Sequence, residues 1–311
     1  MFCEQVSTYL AYCKLQKNLD GKTLSAYRID LRQFEIYLRE KGYSLEINTI
    51  SRIVVTEYIV ELHKRYKPRS AKRKIASLKA FFCYLEYEEI IDSNPFDRVK
   101  THYKEPELLP RTISVPDLQR LLSEAYRQKE CNDNTDYQRR VFCRDVAVLE
   151  LLFSTGLRVS ELCNLKKCNV NLDQGMMRIY GKGAKERMLY LANQAVLDAL
   201  RDYYALFGDW IKTGEYVFYN RMGRRLSEQS VRFMIQRYVE AAGLTEHITP
   251  HMFRHTFATL LLEEDVDIRY IQQILGHSSI TTTQIYTHVA MEKQRCILTN
   301  RHPRNRLVIG P

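Results

Sequence analysis

At 311 residues the chain exceeds what one small core organises, so two domains are expected; 45% hydrophobic residues suffice for packed interiors, and 27% charged residues argue against wholesale disorder. Lysine and arginine number 47 against 37 acidic residues, a net charge of +10. That excess suits a polyanionic partner, nucleic acid first, with a soluble basic protein lacking any such partner as the plain alternative.

The longest apolar run, residues 146–153, is short and contains Glu150, and MFCEQVSTYL at the N-terminus lacks a basic and then apolar leader. Neither a membrane span nor secretion is expected, and a cytoplasmic location follows. Eight scattered cysteines without a CxxC pair read as free thiols rather than disulfides or a structural zinc site.

The first predicted elements are helices. TLSAYRIDLRQFEIYLREKG spaces Leu24, Tyr27, Leu31, Phe34 and Leu38 by three and four, with Gly42 as a stop, and SAKRKIASLKAFFCYLEYEE does the same with Ile75, Leu78, Phe82 and Leu85. A helical bundle is therefore expected over residues 1–101. Residues 62–85 contain no acid but carry Lys64, Arg65, Lys67, Arg69, Lys72, Arg73, Lys74 and Lys79. Such a run is often a solvated face. With no counter-charge in the run itself, it points instead to phosphates, and Lys64, Arg65, Lys67, Arg69, Lys72, Arg73 and Lys79 are the candidate DNA contacts. Pro95, Pro106, Pro110 and Pro116 then break the pattern, so residues 102–112 read as an extended linker.

Beyond the linker, Ser114 and Asp117 form a capping-box pattern that opens the second domain, residues 113–311. The stretch over residues 127–145 is long and polar and reads as a surface insertion. LLFSTGLRVSELCNL ends one helix at Thr155-Gly156 and starts another, with Arg158 in the tight turn between. Arginine there either caps the preceding carbonyls or is a rigidly held guanidinium suited to phosphate. GMMRIYGKGAKERMLYLA reads as a hairpin of residues 176–180 and 187–191, with Lys182 at a glycine-lined tip and Lys185 beside it.

In TPHMFRHTFATLLLEE, Thr249 is the expected N-cap and Pro250 the first helical residue, which sets His251 and Arg254 on one face at a helix N-terminus, a ready anion site. His251 and His255 have zinc-ligand spacing, but Met252 stands where an HExxH hydrolase needs glutamate. In IRYIQQILGHSSITTTQIYTH, Gly276 closes a helix with an Ile268, Ile271 and Leu275 stripe. His277 follows it, and a short helix capped by Ser278 or Ser279 carries Tyr286.

Taken in order, the arginine turn GLRVSEL, the hairpin lysine, HMFR at a helix start, LGH at a helix end and a tyrosine nine residues later resemble the tyrosine recombinase (phage integrase) family over nearly the whole chain. LSAYRIDLRQFEIYL looks like the first-domain motif of its two-domain, Xer-like members; GKGAKER, LGHSSITTTQIYTHV and NRHPR look like their catalytic domain. The resemblance implies a mainly α fold: a SAM-like core-binding bundle, then an α+β catalytic domain with a small antiparallel sheet. It implies a site-specific recombinase that joins DNA to Tyr286 through a 3′-phosphotyrosine, without metal, ATP or other cofactor. Arg158 and Arg254 would clamp the phosphate, Lys182 would protonate the leaving 5′-oxygen, His251 would accept the tyrosine proton and His277 would hydrogen-bond the phosphate. Implied partners are duplex DNA with paired inverted half-sites, and three further copies in a tetramer that exchanges C-terminal helices. A second recombinase or an accessory DNA-bending protein is a further candidate partner, and the place of action is the nucleoid. A non-catalytic DNA-binding regulator and a type IB topoisomerase-like relaxing enzyme are the alternatives.

Overall fold

The computed structural model describes residues 1–99, 110–181 and 186–276. The chain divides into two compact units, Met1–Glu107 and Leu108–Pro311.

Among the described residues, four α-helices build the first unit: α1 (Phe2–Leu15), α2 (Gly21–Glu40), α3 (Arg52–Arg65) and α4 (Pro68–Tyr87). Asp20 starts α2 by accepting from the Thr23 N–H at 2.9 Å, and Pro68 starts α4, where a missing N–H costs nothing. The core is aromatic: Phe34 meets Tyr58 edge-on at 4.8 Å, and Phe2 meets Phe81 at 5.5 Å. Leu31, Phe34 and Leu38 on α2 and Ile75, Leu78, Phe82 and Leu85 on α4 are all buried, as their spacing predicts.

One buried position breaks the apolar rule. Asp30 is fully enclosed on α2 and accepts from Lys74 at 3.0 Å, from the Ser77 hydroxyl at 2.8 Å and from Arg73. Lys74 is itself buried and lies 4.7 Å from the centre of the Tyr66 ring. The basic run of α3 and α4 is therefore not without counter-charge, as its sequence alone implies. Asp30 neutralises part of it from another helix, and Glu61 pairs with Arg65 at 2.6 Å.

The second unit is built on α6 (Asp136–Thr155), whose residues 146–149, 151 and 152 are buried at 0–1% exposure. α5 (Val115–Glu130), α8 (Gln194–Thr213) and α10 (Pro250–Glu263) pack around it. α7 (Val159–Cys163), α9 (Glu228–Ala241) and α11 (Ile268–Leu275) complete the helices described. The sheet is antiparallel, β1 (Val170–Asn171), β2 (Met176–Tyr180) and β3 (Glu186–Tyr190) in that order, with Met176 opposite Tyr190 and Tyr180 opposite Glu186. The protein is thus mainly helical with one small antiparallel sheet.

Two local expectations are corrected, and a third holds in position only. β3 begins one residue earlier than the hydrophobic run predicts, because the register pairs Tyr180 with Glu186; β1, too short to show a period, was not anticipated. Residues 127–145 are not an inserted loop: only residues 131–135 connect, between the last turn of α5 and the first half of α6, where Thr135 and Gln138 form a capping box. Thr249 stands at the N-cap of α10 but makes no side-chain cap hydrogen bond. No helix among the described residues is long and apolar enough to cross a membrane, and the seven described cysteines are free thiols.

Candidate active site

The site forms where five chain segments end or begin. Gly156, in the left-handed conformation at φ +60°, stops α6 and turns the chain toward α7. Arg158 is the N-cap residue of α7; its N–H donates to the Glu161 carboxylate at 2.9 Å and its guanidinium to the same carboxylate at 2.7 Å. Arg187 on β3 grips the other side of Glu161 at 2.7 and 3.0 Å. Burial alone would raise the Glu161 carboxyl, but the hydrogen bonds and charge of Arg187, and then those of Arg158, hold it below the usual carboxylate range.

Three arginines of the site converge on the carbonyls at the end of α11. Arg187 Nε donates to Ile274 O at 2.8 Å, Arg254 Nη2 to Leu275 O at 2.6 Å, and Arg158 Nη2 makes a longer contact with Gly276 O at 3.4 Å. α11 has no basic residue in its own last turn, so these long-range guanidiniums meet the carbonyls and the negative end of the helix dipole. Arg254 is buried and also donates to Gly156 O at 2.7 Å, tying the end of α6 to the end of α11. The alternative for Arg158, capping the carbonyls of the preceding helix, is not what the structure shows.

His251 lies in the first turn of α10 and reaches solvent. Desolvation by its surroundings, then the charges of Arg254, Arg232 and Arg158, hold it below the ordinary histidine range, with Glu228 opposing. His251 is therefore neutral at neutral pH and able to accept a proton. His255, one turn on, is pushed down to about 4, by burial first and then by the charges of His251 and Arg254. Its sign fixes a pH dependence. Between the ordinary value of 6.5 and about 4 the unfolded chain takes a proton that the folded chain refuses. Folding stability is thus flat above that window and falls as pH drops through it. Melting temperatures of wild type and His255→Gln compared across pH 7 to 4 test this: the variant should lose part of the slope, and parallel curves would refute it.

Gly156 is irreplaceable for two reasons. Its φ is positive, and a Cβ there would lie 2.7 Å from both Leu275 Cδ2 and Phe257 Cδ1. Gly156→Ala is expected to cost about 2 kcal/mol or more from the left-handed backbone and the overlap together. A melting temperature within a degree of wild type would contradict that.

Of the sequence-predicted site residues, Arg158, His251 and Arg254 are brought to one place; Lys182, His277 and Tyr286 lie outside the described residues. Arg187, Glu161 and Arg232 were not singled out as site residues. Arg187 is the second residue of β3 with nothing local to mark it, and Arg232 shows only an i,i+4 pairing with Glu228 at 3.4 Å. Of the candidate DNA contacts, Lys64, Lys67, Arg69, Lys72 and Lys79 are exposed; Arg65 is exposed but paired with Glu61, and Arg73 contacts Asp30.

Comparison with known proteins places the chain in a family. The model of the phage integrase family matches residues 124–293, and that of the phage integrase N-terminal SAM-like domain matches residues 6–89. A tyrosine recombinase of Agathobacter rectalis is 52% identical, covering 96% of each chain, and a tyrosine recombinase XerC of Pelobacter propionicus is 33% identical, covering 97% of this chain and 96% of its own. Among solved structures, XerA recombinase is 28% identical at a TM-score of 0.52, covering 98% of this chain and all of its own. XerH bound to a palindromic difH substrate shares the fold at a TM-score of 0.73 and 21% identity, covering 95% and 84%. The chain belongs to the phage integrase family of tyrosine recombinases. It is an Xer-like enzyme of DNA recombination, one that cuts and transfers DNA strands.

Proposed function

We propose that the enzyme cleaves and rejoins duplex DNA through a 3′-phosphotyrosyl bond to Tyr286, without metal or ATP. The observation that carries this is the convergence of Arg158 and Arg254, 96 positions apart in the chain, on the successive carbonyls of Leu275 and Gly276. Two guanidiniums so placed suit the non-bridging oxygens of one phosphate and the charge that builds on them. Tyr286 lies ten residues beyond Gly276, a span of at most about 35 Å when extended, so the nucleophile is within reach of the cluster.

In the reaction, the Tyr286 oxygen attacks phosphorus as the phenolic proton passes to His251, and the bond to the 5′-oxygen breaks. Lys182 supplies the proton to that oxygen, and His277 donates to the phosphate. A 5′-hydroxyl of a second duplex then displaces the tyrosine. One phosphodiester is exchanged for another, so no nucleotide hydrolysis is needed. Residues 1–101 serve as the core-binding domain, with Lys64, Arg65, Lys67, Arg69, Lys72, Arg73 and Lys79 on phosphates. Residues 102–112 act as the linker and residues 113–311 as the catalytic domain. Four copies assemble on two duplexes with inverted half-sites, the segment after Tyr286 docks on a neighbouring copy, and a second recombinase or a DNA-bending protein joins where the site requires it. The place of action is the nucleoid. Solved relatives support this assembly, among them a lambda integrase tetramer on a Holliday junction.

A nicked suicide duplex that traps the covalent state tests the reading. Wild type should give an SDS-resistant adduct, and Tyr286→Phe should give none while still shifting the DNA in a gel. An adduct that survives Tyr286→Phe would sink the assignment, and relaxation of supercoils without exchange between sites would favour a topoisomerase.

A further inference from the structure

A second built surface lies at the other end of α6. The 20 residues of that helix extend about 28 Å, with the arginine site at the C-terminal end and a groove along the N-terminal half. One lobe encloses about 500 Å³ against Leu206, Phe207 and Trp210 of α8. A second lobe of about 560 Å³ shares Tyr137, Val141, Arg144 and Arg221 with the first and adds Met222 and Phe233. Phe233, Met222 and Tyr137 are 67%, 65% and 54% exposed, large apolar side chains gathered in one place rather than scattered.

The charge of the groove is one-sided. Arg139, Arg140, Arg144, Arg221 and Arg237 line it against Asp136 and Asp145. Asp145 is fully buried and already held by Arg144 at 2.6 Å and Arg237 at 2.5 Å. Among the described residues, Arg139, Arg140 and Arg221 form no salt bridge, and all three are exposed. Unpaired guanidiniums around aromatic and aliphatic walls match the makeup of protein-recognition hot spots and of Arg clusters that read acidic motifs.

We propose that this groove binds an acidic peptide segment of a partner protein. Carboxylates of the segment pair with Arg139, Arg140 and Arg221, and one aromatic or aliphatic side chain enters the lobe beside Trp210. The chain's own C-terminal segment has the wrong sign for the site: residues 289–311 hold five basic residues and one acid. A nucleic acid also suits the arginines and could stack on Tyr137 or Phe233, but the aliphatic walls of Val141, Leu206 and Met222 favour an apolar peptide side chain between the charges.

Trp210 is the only tryptophan in the chain and lines the first lobe, so its emission reports occupancy. The full-length protein is titrated with a tryptophan-free peptide of glutamates and aspartates around a central phenylalanine. A saturable change in Trp210 emission is expected, weakened at least tenfold in Arg139→Glu/Arg140→Glu and, separately, in Arg221→Glu. A peptide with lysines around the phenylalanine should give no change. Melting temperature and adduct formation on the suicide duplex should stay as in wild type for the same variants, since these side chains are exposed and remote from the arginine site. The proposal is overturned if the acidic peptide gives no saturable change, or if its binding ignores the arginine substitutions. It is equally overturned if single-stranded or duplex oligonucleotides reproduce the response with the same arginine dependence, which would make the groove a nucleic-acid surface.

Discussion

Arg254→Lys is expected to slow adduct formation on a suicide duplex by roughly a hundred- to a thousandfold, as for removal of one fixed donor at a developing oxyanion, while DNA binding stays near wild type. The buried guanidinium of Arg254 spans two carbonyls at once, Gly156 O at 2.7 Å and Leu275 O at 2.6 Å, from a planar fork. A lysine keeps the charge but offers donors from a single point, so it cannot bridge the ends of α6 and α11 and still present an N–H edge to phosphate. Leaving one of those carbonyls unmet adds about 1–3 kcal/mol of lost stability. Single-turnover cleavage and thermal melting separate the two losses. A variant that melts lower but cleaves at the wild-type rate would reduce Arg254 to a structural tie.

The second large effect is expected at Glu161. Its carboxylate is 5% exposed and takes hydrogen bonds from Arg158 and Arg187, the latter only 10% exposed. Glu161→Gln keeps the shape and removes the charge, leaving two guanidiniums near each other and one of them buried. Breaking a buried pair in this way costs about 3–5 kcal/mol. Because the native carboxyl is held below its ordinary range, the stability it contributes is present at neutral pH and is lost as the pH falls from the ordinary carboxylate value through the lowered one. The variant should therefore melt well below wild type at pH 7, with the gap closing in acid. In Arg187→Gln/Glu161→Gln part of the loss should return, since the buried cation has gone too. Equal melting of wild type and Glu161→Gln at pH 7 would show that the pair contributes nothing.

The helices were legible where a local period carried them. Leu31, Phe34 and Leu38, or Ile75, Leu78, Phe82 and Leu85, announce a buried face within one window of sequence, and Gly156 and Gly276 mark stops that the backbone takes up at positive φ. Arg158, His251 and Arg254 were readable as candidate site residues because each sits at a helix boundary whose chemistry favours anions. What a local pattern cannot show is a partner brought from far along the chain. Lys74 meets Asp30 across 44 positions, and Arg187 meets Ile274 O across 87. The acid-free run of residues 62–85 thus suggested more uncompensated charge than the fold leaves, and Arg187 passed unnoticed inside a strand. The boundary of β3 slipped by one residue because the hydrophobic alternation there does not encode which residue faces Tyr180.

The last three described carbonyls, those of residues 274 to 276, have a mechanical consequence. Arg187, Arg254 and Arg158 hold successive carbonyls of one short stretch, and Arg254 also anchors the stop of α6. A shift of the backbone beyond Gly276 therefore meets graded resistance: the 3.4 Å contact of Arg158 yields before the shorter bonds of Arg187 and Arg254, so the chain is freed from its outer end while its root stays pinned.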